Sequence, residues 1–137
     1  MKAFPSAYSP QGKHPFAART FHRSARYAWR GIRVAFRREA NLRRQLLLGF
    51  LVVAASIVLH ISLVQLALLI LTSAAVLILE LMNSAIESLA DAVHPHYHDK
   101  IRDAKDMAAG AVLVMSLAAT AVGIVILLPP LLELLAG

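Results

Sequence analysis

Cysteine is absent from this 137-residue chain, and charged and aromatic residues are scarce, at 16% and 7%. Without cysteine the protein has no disulfide, no thiolate zinc site and no cysteine nucleophile. The scarcity of charge accompanies an apolar fraction of 58%. A water-soluble domain of this length cannot bury so much apolar surface, so much of it must face lipid. The length suits one domain, which we place at residues 20–137.

Two long stretches, residues 46–79 and 108–128, contain no aspartate, glutamate, lysine or arginine. The first is interrupted by His60-Ile61-Ser62, which predicts a tight hairpin between antiparallel spans. One span would cover Leu46–Leu59 with its flanks, and the next would begin at Leu63. Each stretch provides the roughly 20 residues that cross a bilayer. The sequence therefore predicts an all-α membrane protein with three transmembrane helices.

The ends of the spans are marked by polar residues and prolines. The second span is predicted to continue to about Val93, because residues 80–93 contain neither glycine nor proline. His94-Pro95 should end it, since the residue before a proline disfavours the helical conformation. Pro129-Pro130 is predicted to close the third span. Three spans are too few to enclose a polar site within one chain, so we expect an oligomeric bundle.

The region before the spans is rich in proline and arginine. Residues 1–19 contain Pro5, Pro10 and Pro15 and lack the apolar core of a signal peptide, which predicts a disordered leader. From Phe21 to Phe36, apolar residues and arginines each recur in steps of three and four, on opposite helical faces. This pattern favours an amphipathic helix lying in the membrane interface over a surface helix of a soluble domain.

Positive charge is concentrated in two places. Eleven of the 14 lysines and arginines precede Leu46, and the other three are Lys100, Arg102 and Lys105. With three crossings, a cytoplasmic N-terminus places all of them on the cytoplasmic side, in agreement with the positive-inside rule. Because the basic stretch runs directly into an apolar one, anionic lipid headgroups are the expected partner rather than nucleic acid.

Polar residues capable of chemistry are predicted to meet at one membrane depth. Glu80, Asn83 and Glu87 are spaced by three and four, so they share a face of the second span. Carboxylates in a membrane are costly unless they face protein, water or a metal, and the depth of Glu80 and Asn83 weakens the alternative of residues merely reaching for water. Oxygen ligands together with a cation suit a magnesium-bound phosphate compound. Further charged residues at the same interface are Glu39, Asp91, Lys105 and Asp106.

The run Glu80-Leu-Met-Asn83-Ser84-Ala-Ile-Glu87, with Ala104-Lys105-Asp106 downstream, resembles the signature of the prokaryotic diacylglycerol kinase family, which includes undecaprenol kinases. The resemblance extends from Ser24 to the end of the third span and includes Trp29-Arg30-Gly31 and Glu39-Ala40-Asn41. It implies ATP- and magnesium-dependent phosphorylation of a lipid hydroxyl in the bacterial inner membrane. It also implies a homotrimer with active sites shared between subunits.

The resemblance assigns a role to each matching residue. Glu80 would be the general base that takes the proton of the lipid hydroxyl. Gln45 stands where the diacylglycerol-specific branch has an acidic residue, which leaves both diacylglycerol and undecaprenol open as acceptors. The remaining roles would be metal binding (Glu39 and Glu87), orientation of the site (Asn83) and nucleotide binding (Lys105, Asp106 and either Arg19 or Arg23).

Other classes of function compete with a kinase. A small transporter or proton-conducting oligomer could use Glu80 and Glu87 as a relay, although this leaves Glu39, Lys105 and Asp106 unexplained. A membrane-shaping protein based on the amphipathic helix would not need the acidic residues at all. The alternating histidines could bind a transition metal, and the competing interpretation is that they serve the structure of the loop. They are His94, His96 and His98.

Overall fold

The computed structural model describes residues 21–94 and 96–137, and these residues form four α-helices. They are α1 (Phe21–Arg38), α2 (Ala40–Val58), α3 (Leu63–Val93) and α4 (Asp99–Ala136). Among the described residues, those up to Gly31 and those from Ile32 onward belong to separate compact units. The all-α fold with three spanning helices is confirmed, because α2, α3 and α4 are each long and apolar enough to cross a bilayer. The predicted disordered leader, residues 1–19, lies outside the described residues.

Helix α1 is the predicted amphipathic helix, and it extends two residues beyond Phe36 to Arg38. None of its residues is buried. Arg37 and Arg38 occupy its last turn, where cations interact favourably with the negative end of the helix dipole. The location of α1 in the membrane interface stays a prediction.

A break at Glu39 separates α1 from α2. Glu39 is the N-cap residue of α2 and has an extended backbone, with φ −96° and ψ 114°. Arg43 donates from Nη1 to the carbonyl oxygens of Phe36 at 3.0 Å and Arg37 at 3.3 Å. Carbonyls in the last turn of a helix lack helical partners. Arg43 therefore caps α1 and stabilises the bend that presents Glu39.

The tight hairpin predicted at residues 60–62 is confirmed, since α2 ends at Val58 and α3 begins at Leu63. His60 has a positive φ of 50°, which allows the chain to reverse direction over these few residues. Ser62 then starts α3 with a capping box. The Gln65 backbone N–H donates to Ser62 Oγ at 3.3 Å, and the Ser62 N–H donates to Gln65 Oε1 at 2.9 Å.

Helix α4 differs from its prediction at both ends. It begins at Asp99, well before Ala108, and it continues through Pro129 and Pro130 to Ala136. The prediction that the prolines close the span is wrong. Their fixed φ is compatible with a helix, and residues 131–136, four leucines, a glutamate and an alanine, are strong helix formers that continue it. At 1.5 Å per residue, the 38 residues of α4 extend roughly 57 Å, more than the ~30 Å hydrocarbon core.

The three spanning helices pack with α3 in contact with both others, most extensively with α4. Few side chains become buried in one chain: the apolar ones are Leu42, Leu69, Val76 and Ile126, and the polar ones are Ser56, Glu80 and Ser84. Many large apolar side chains remain exposed along all three helices. Such an exposed apolar surface is expected of helices that face lipid or other subunits.

Candidate active site

Glu80 lies on the face of α3 that packs against α2, and only 4% of its surface is exposed. Gln45 of α2 donates from Nε2 to Glu80 Oε2 at 3.0 Å. A hydrogen bond from an amide stabilises a carboxylate that has been withdrawn from water. The structure thus agrees with the expectation that this carboxylate faces protein rather than lipid. Gln45 itself was identified from the sequence only as a departure from a family pattern.

One turn further along α3, Asn83 and Glu87 form a second polar pair. Asn83 donates from Nδ2 to Glu87 Oε1 at 3.0 Å. The Asn83 Oδ1 atom is buried and has no hydrogen-bond partner among the described residues. A buried acceptor without a partner is costly, so such atoms often mark the position of a missing donor or cation. The pair therefore offers oxygen ligands of the kind that Mg²⁺ prefers.

Lys105 of α4 contacts the end of α3 through Asp91. Its Nζ donates to Asp91 Oδ1 at 3.0 Å, and the side chains are 34% and 71% exposed. An ion pair in such an exposed place is screened by water, so it holds Lys105 only weakly. The sequence placed Asp91 at the same interface without assigning it a role. The structure makes it the partner of the predicted nucleotide-binding lysine.

The remaining predicted site residues are less closely engaged. Glu39 is half-exposed at the break before α2 and makes no side-chain capping hydrogen bond. Asp106 and Arg23 are exposed on α4 and α1. Among the described residues, no group of three or more histidine, aspartate or glutamate side chains is arranged to hold a metal ion by itself. Arg19 lies outside the described residues.

The loop between α3 and α4 is organised by local contacts. His94 Nδ1 lies 2.9 Å from the carbonyl oxygen of His96, and the His94 and His98 rings meet edge to face at 5.4 Å. Both contacts are made within the loop itself, and the choice between a loop role and a transition-metal site stays a prediction. The Tyr97 hydroxyl donates to Asp99 at 2.8 Å, and this hydrogen bond raises the pKa of Tyr97.

An apolar cavity of about 490 Å³ extends along the three spanning helices. Gln45, the hydrogen-bond partner of Glu80, is one of its lining residues. The sequence did not predict this cavity, because it depends on how the helices are rotated against each other. Its walls come from α2 (including Gln45 and Val52), α3 (including Leu69 and Val76) and α4 (including Thr120, Gly123 and Leu131).

The geometry can be compared with known proteins. Residues 26–127, more than half of the chain, match the sequence profile of prokaryotic diacylglycerol kinases. The chain belongs to the prokaryotic diacylglycerol kinase family. The polar pairs on α3, the ion pair to α4 and the break at Glu39 all fall inside the matched residues. The last turns of α4, beyond Pro129-Pro130, fall outside them.

Named members of the diacylglycerol kinase family carry both acceptor names. A diacylglycerol kinase of Synechocystis is 47% identical over 113 residues, which are 82% of this chain and 65% of that protein. A diacylglycerol kinase of Escherichia coli is 36% identical over 92 residues, 67% of this chain and 75% of that protein. An undecaprenol kinase of Bacillus subtilis is 32% identical over 111 residues, 81% and 90% of the two chains. The match with the Synechocystis protein spans less than two thirds of that protein's length. The family predicted from the sequence is confirmed by the profile match and by these relatives.

Proposed function

We propose that this chain is a lipid kinase that transfers the terminal phosphate of ATP to the hydroxyl of a membrane lipid. The observation that carries the proposal is the buried carboxylate of Glu80, held by Gln45 Nε2 at 3.0 Å, at the place the family resemblance assigns to the general base. A carboxylate is an expensive group to bury in a membrane protein without use. The names of the relatives, diacylglycerol kinase and undecaprenol kinase, support the same reaction class.

In the proposed reaction Glu80 accepts a proton from the lipid hydroxyl. The O–H bond of the alcohol breaks while its oxygen forms a bond to the terminal phosphorus of ATP. The bond between that phosphorus and the bridging oxygen breaks, and ADP leaves with the electron pair. Glu80 later releases the proton to water. Because phosphoryl transfer depends mainly on positioning and charge neutralisation, the other residues need only align and stabilise the phosphates.

Glu39 and Glu87 are the proposed ligands of a magnesium ion. The buried, unpartnered Oδ1 of Asn83 beside Glu87 supports a hard cation or a strong donor in this part of the site. Two carboxylates suffice, since Mg²⁺ in such sites completes its coordination with water and substrate phosphates. When bound, the ion would neutralise negative charge on the phosphates. Asn83 then orients the Glu87 carboxylate through the hydrogen bond from its Nδ2.

The nucleotide is proposed to bind at the interface near Lys105 and Asp106. Lys105 is held by a single exposed ion pair to Asp91, so its ammonium can transfer to a phosphate at small cost. Either Arg19 or Arg23 would add a further contact to the nucleotide. Under the proposed orientation, the lysines and arginine in the first two turns of α4 lie on the cytoplasmic side, where they attract ATP and anionic lipid headgroups.

The apolar cavity is proposed to receive hydrocarbon of the acceptor lipid. It is lined largely by aliphatic side chains and includes Gln45, which contacts the proposed base. Both a diacylglycerol chain and an isoprenoid chain satisfy this chemistry, so the proposed acceptor is diacylglycerol or undecaprenol.

The burial of so few side chains in one chain supports assembly into an oligomer, for which we propose the homotrimer with shared sites. We place the protein in the bacterial inner membrane with a cytoplasmic N-terminus.

Transfer of labelled phosphate from ATP by the purified protein in mixed micelles tests the proposal. Diacylglycerol and undecaprenol are supplied separately, each with and without magnesium, and the Glu80→Gln variant serves as the inactive control. Magnesium-dependent labelling of either lipid is the expected result, and the labelled lipid identifies the acceptor. Absence of labelling of both lipids by folded, oligomeric protein would contradict a kinase and would direct attention to ion flux.

A further inference from the structure

Gln45 makes a hydrogen bond to Glu80 that phosphate transfer by a general base and a metal ion does not in itself require. The two residues lie 35 positions apart on α2 and α3, and Nε2 of Gln45 donates to Oε2 of Glu80 at 3.0 Å. The Gln45 Oε1 atom is also buried, and it has no partner among the described residues. The NH₂ group of the amide is therefore hydrogen-bonded, whereas its carbonyl oxygen is an acceptor buried away from water.

The orientation of the amide fits the reaction state in which Glu80 is an ionised carboxylate. An ionised carboxylate has only acceptors, so the NH₂ group of Gln45 must face it and the carbonyl must point away. A protonated Glu80 instead presents an O–H donor. A half-turn of the amide about its terminal bond would then bring Oε1 of Gln45 to the donor. An amide can thus hydrogen-bond the same carboxyl group before and after it takes up a proton.

The position of Gln45 adds a second reason to connect it with the reaction. Gln45 lines the apolar cavity, whereas Glu80 is not among the cavity-lining residues of the described chain. Gln45 therefore contacts both the proposed lipid site and the carboxylate. By binding one oxygen of Glu80, it leaves the other oxygen as the acceptor for the lipid proton.

Resting on the proposed kinase function, we infer that Gln45 is a positioning residue for the general base in both of its protonation states. Its NH₂ group holds the ionised carboxylate, and its carbonyl oxygen accepts the hydrogen bond of the protonated acid after phosphate transfer. Within the described chain, Gln45 is the one side chain hydrogen-bonded to the Glu80 carboxylate. The other charged groups at this end of the packed helices are Glu39, Arg43, Arg44, Glu87, Asp91, Lys105 and Asp106.

Replacement of Gln45 by an apolar residue of similar length distinguishes a role in positioning Glu80 from a role in binding ATP. Gln45→Met should lower kcat about 10-fold to 100-fold, the range expected when a reacting group is misplaced by about 1 Å. The KM for ATP should stay unchanged, because the nucleotide contacts lie elsewhere. The matched control is Gln65→Met, since Gln65 belongs to the capping box of α3 at the opposite end of that helix.

Gln45→Glu supplies a second readout that a purely structural role would not change. Two carboxyl groups at hydrogen-bond distance hold one proton between them, so this variant keeps the contact when that proton is present. As the pH rises the proton is lost and the carboxylates repel each other. The ratio of its kcat to that of the wild type should therefore fall with increasing pH, whereas the ratio for Gln45→Met should stay level.

The outcomes distinguish this inference from the proposed function. An inactive wild-type protein overturns the kinase itself. If the wild type and Gln65→Met transfer phosphate, a Gln45→Met variant with undiminished kcat overturns the positioning role. If Gln45→Met fails to fold, the pH dependence of Gln45→Glu decides, and a kcat ratio that does not change with pH overturns the inference.

Discussion

The two ends of the spanning helices use polar side chains differently. At the end that carries Glu80, some polar contacts link different helices, namely the hydrogen bond from Gln45 and the ion pair of Lys105 with Asp91, beside others made within α3. Along the rest of the spans the hydroxyl groups bond to their own helix. Ser56 donates to the Val52 carbonyl at 2.7 Å, Thr72 to that of Leu68 at 3.0 Å and Thr120 to that of Ser116 at 2.8 Å.

This difference separates a part of the protein that fixes reacting groups from a part that accommodates hydrocarbon. Bonds between helices hold side chains in one relative position, which phosphate transfer needs. Hydroxyls bonded within a helix leave the interhelical space apolar, and there the cavity of about 490 Å³ is found. Substitutions at the Glu80 end should therefore affect kcat and metal use, and substitutions around the cavity should affect lipid binding.

Removal of the proposed base is the strongest test of the comparison. Glu80→Gln keeps the shape of the side chain but cannot accept the proton, so kcat should fall about 10²-fold to 10⁴-fold. Phosphate transfer from labelled ATP measures the loss. The oligomeric state and helix content should remain as in the wild type, because an amide can still bond to Gln45.

The matched control for Glu80→Gln lies at the other end of the molecule. Glu133 is exposed near the end of α4, and Glu133→Gln makes the same chemical change there. This variant should keep wild-type kcat. Equal loss of activity in both variants, or full activity in Glu80→Gln, would remove the proposed separation between the two ends.

Replacement of the proposed metal ligand has the next largest effect. Glu87→Gln retains the length of the side chain and removes its charge, so the magnesium concentration for half-maximal activity should rise at least about tenfold. A magnesium titration at saturating ATP measures the shift. Asp103→Asn is the control, since Asp103 is an exposed charge on α4 paired with its neighbour Arg102 at 3.3 Å. Identical magnesium curves for Glu87→Gln and the wild type would exclude Glu87 as a ligand.

Features that depend on local chemistry were predictable from the sequence. The hairpin at residues 60–62 follows from a break in the apolar pattern, and the end of α3 at Val93 follows from the proline after His94. The polar stripe of Glu80, Asn83 and Glu87 follows from helical spacing. The roles of these residues came from the family resemblance, because spacing alone also allowed a transporter.

Features that depend on packing between helices were not predictable. The contact of Gln45 with Glu80 and that of Lys105 with Asp91 require the rotation of each helix, which one sequence does not specify. The continuation of α4 past Pro129 was mispredicted for a different reason. Proline costs a helix about 3 kcal/mol, and the run of strong helix formers at residues 131–136 continues the helix in spite of that cost.

The smallest expected effect is at the cavity, where Gly123→Leu tests whether hydrocarbon binds there. An added Cβ at Gly123 meets no atom within 4 Å, so the fold accepts a side chain that extends into the cavity. The KM for the lipid should rise several-fold because the side chain occupies space needed by the acceptor, while the KM for ATP stays unchanged.

Gly110→Leu is the control for Gly123→Leu, since a Cβ there is equally free and Gly110 does not line the cavity. Both variants gain the same helix propensity, about 1 kcal/mol at most, so a difference in lipid KM between them reports on the cavity. An equal lipid KM in the two variants would place the acceptor chain outside the cavity.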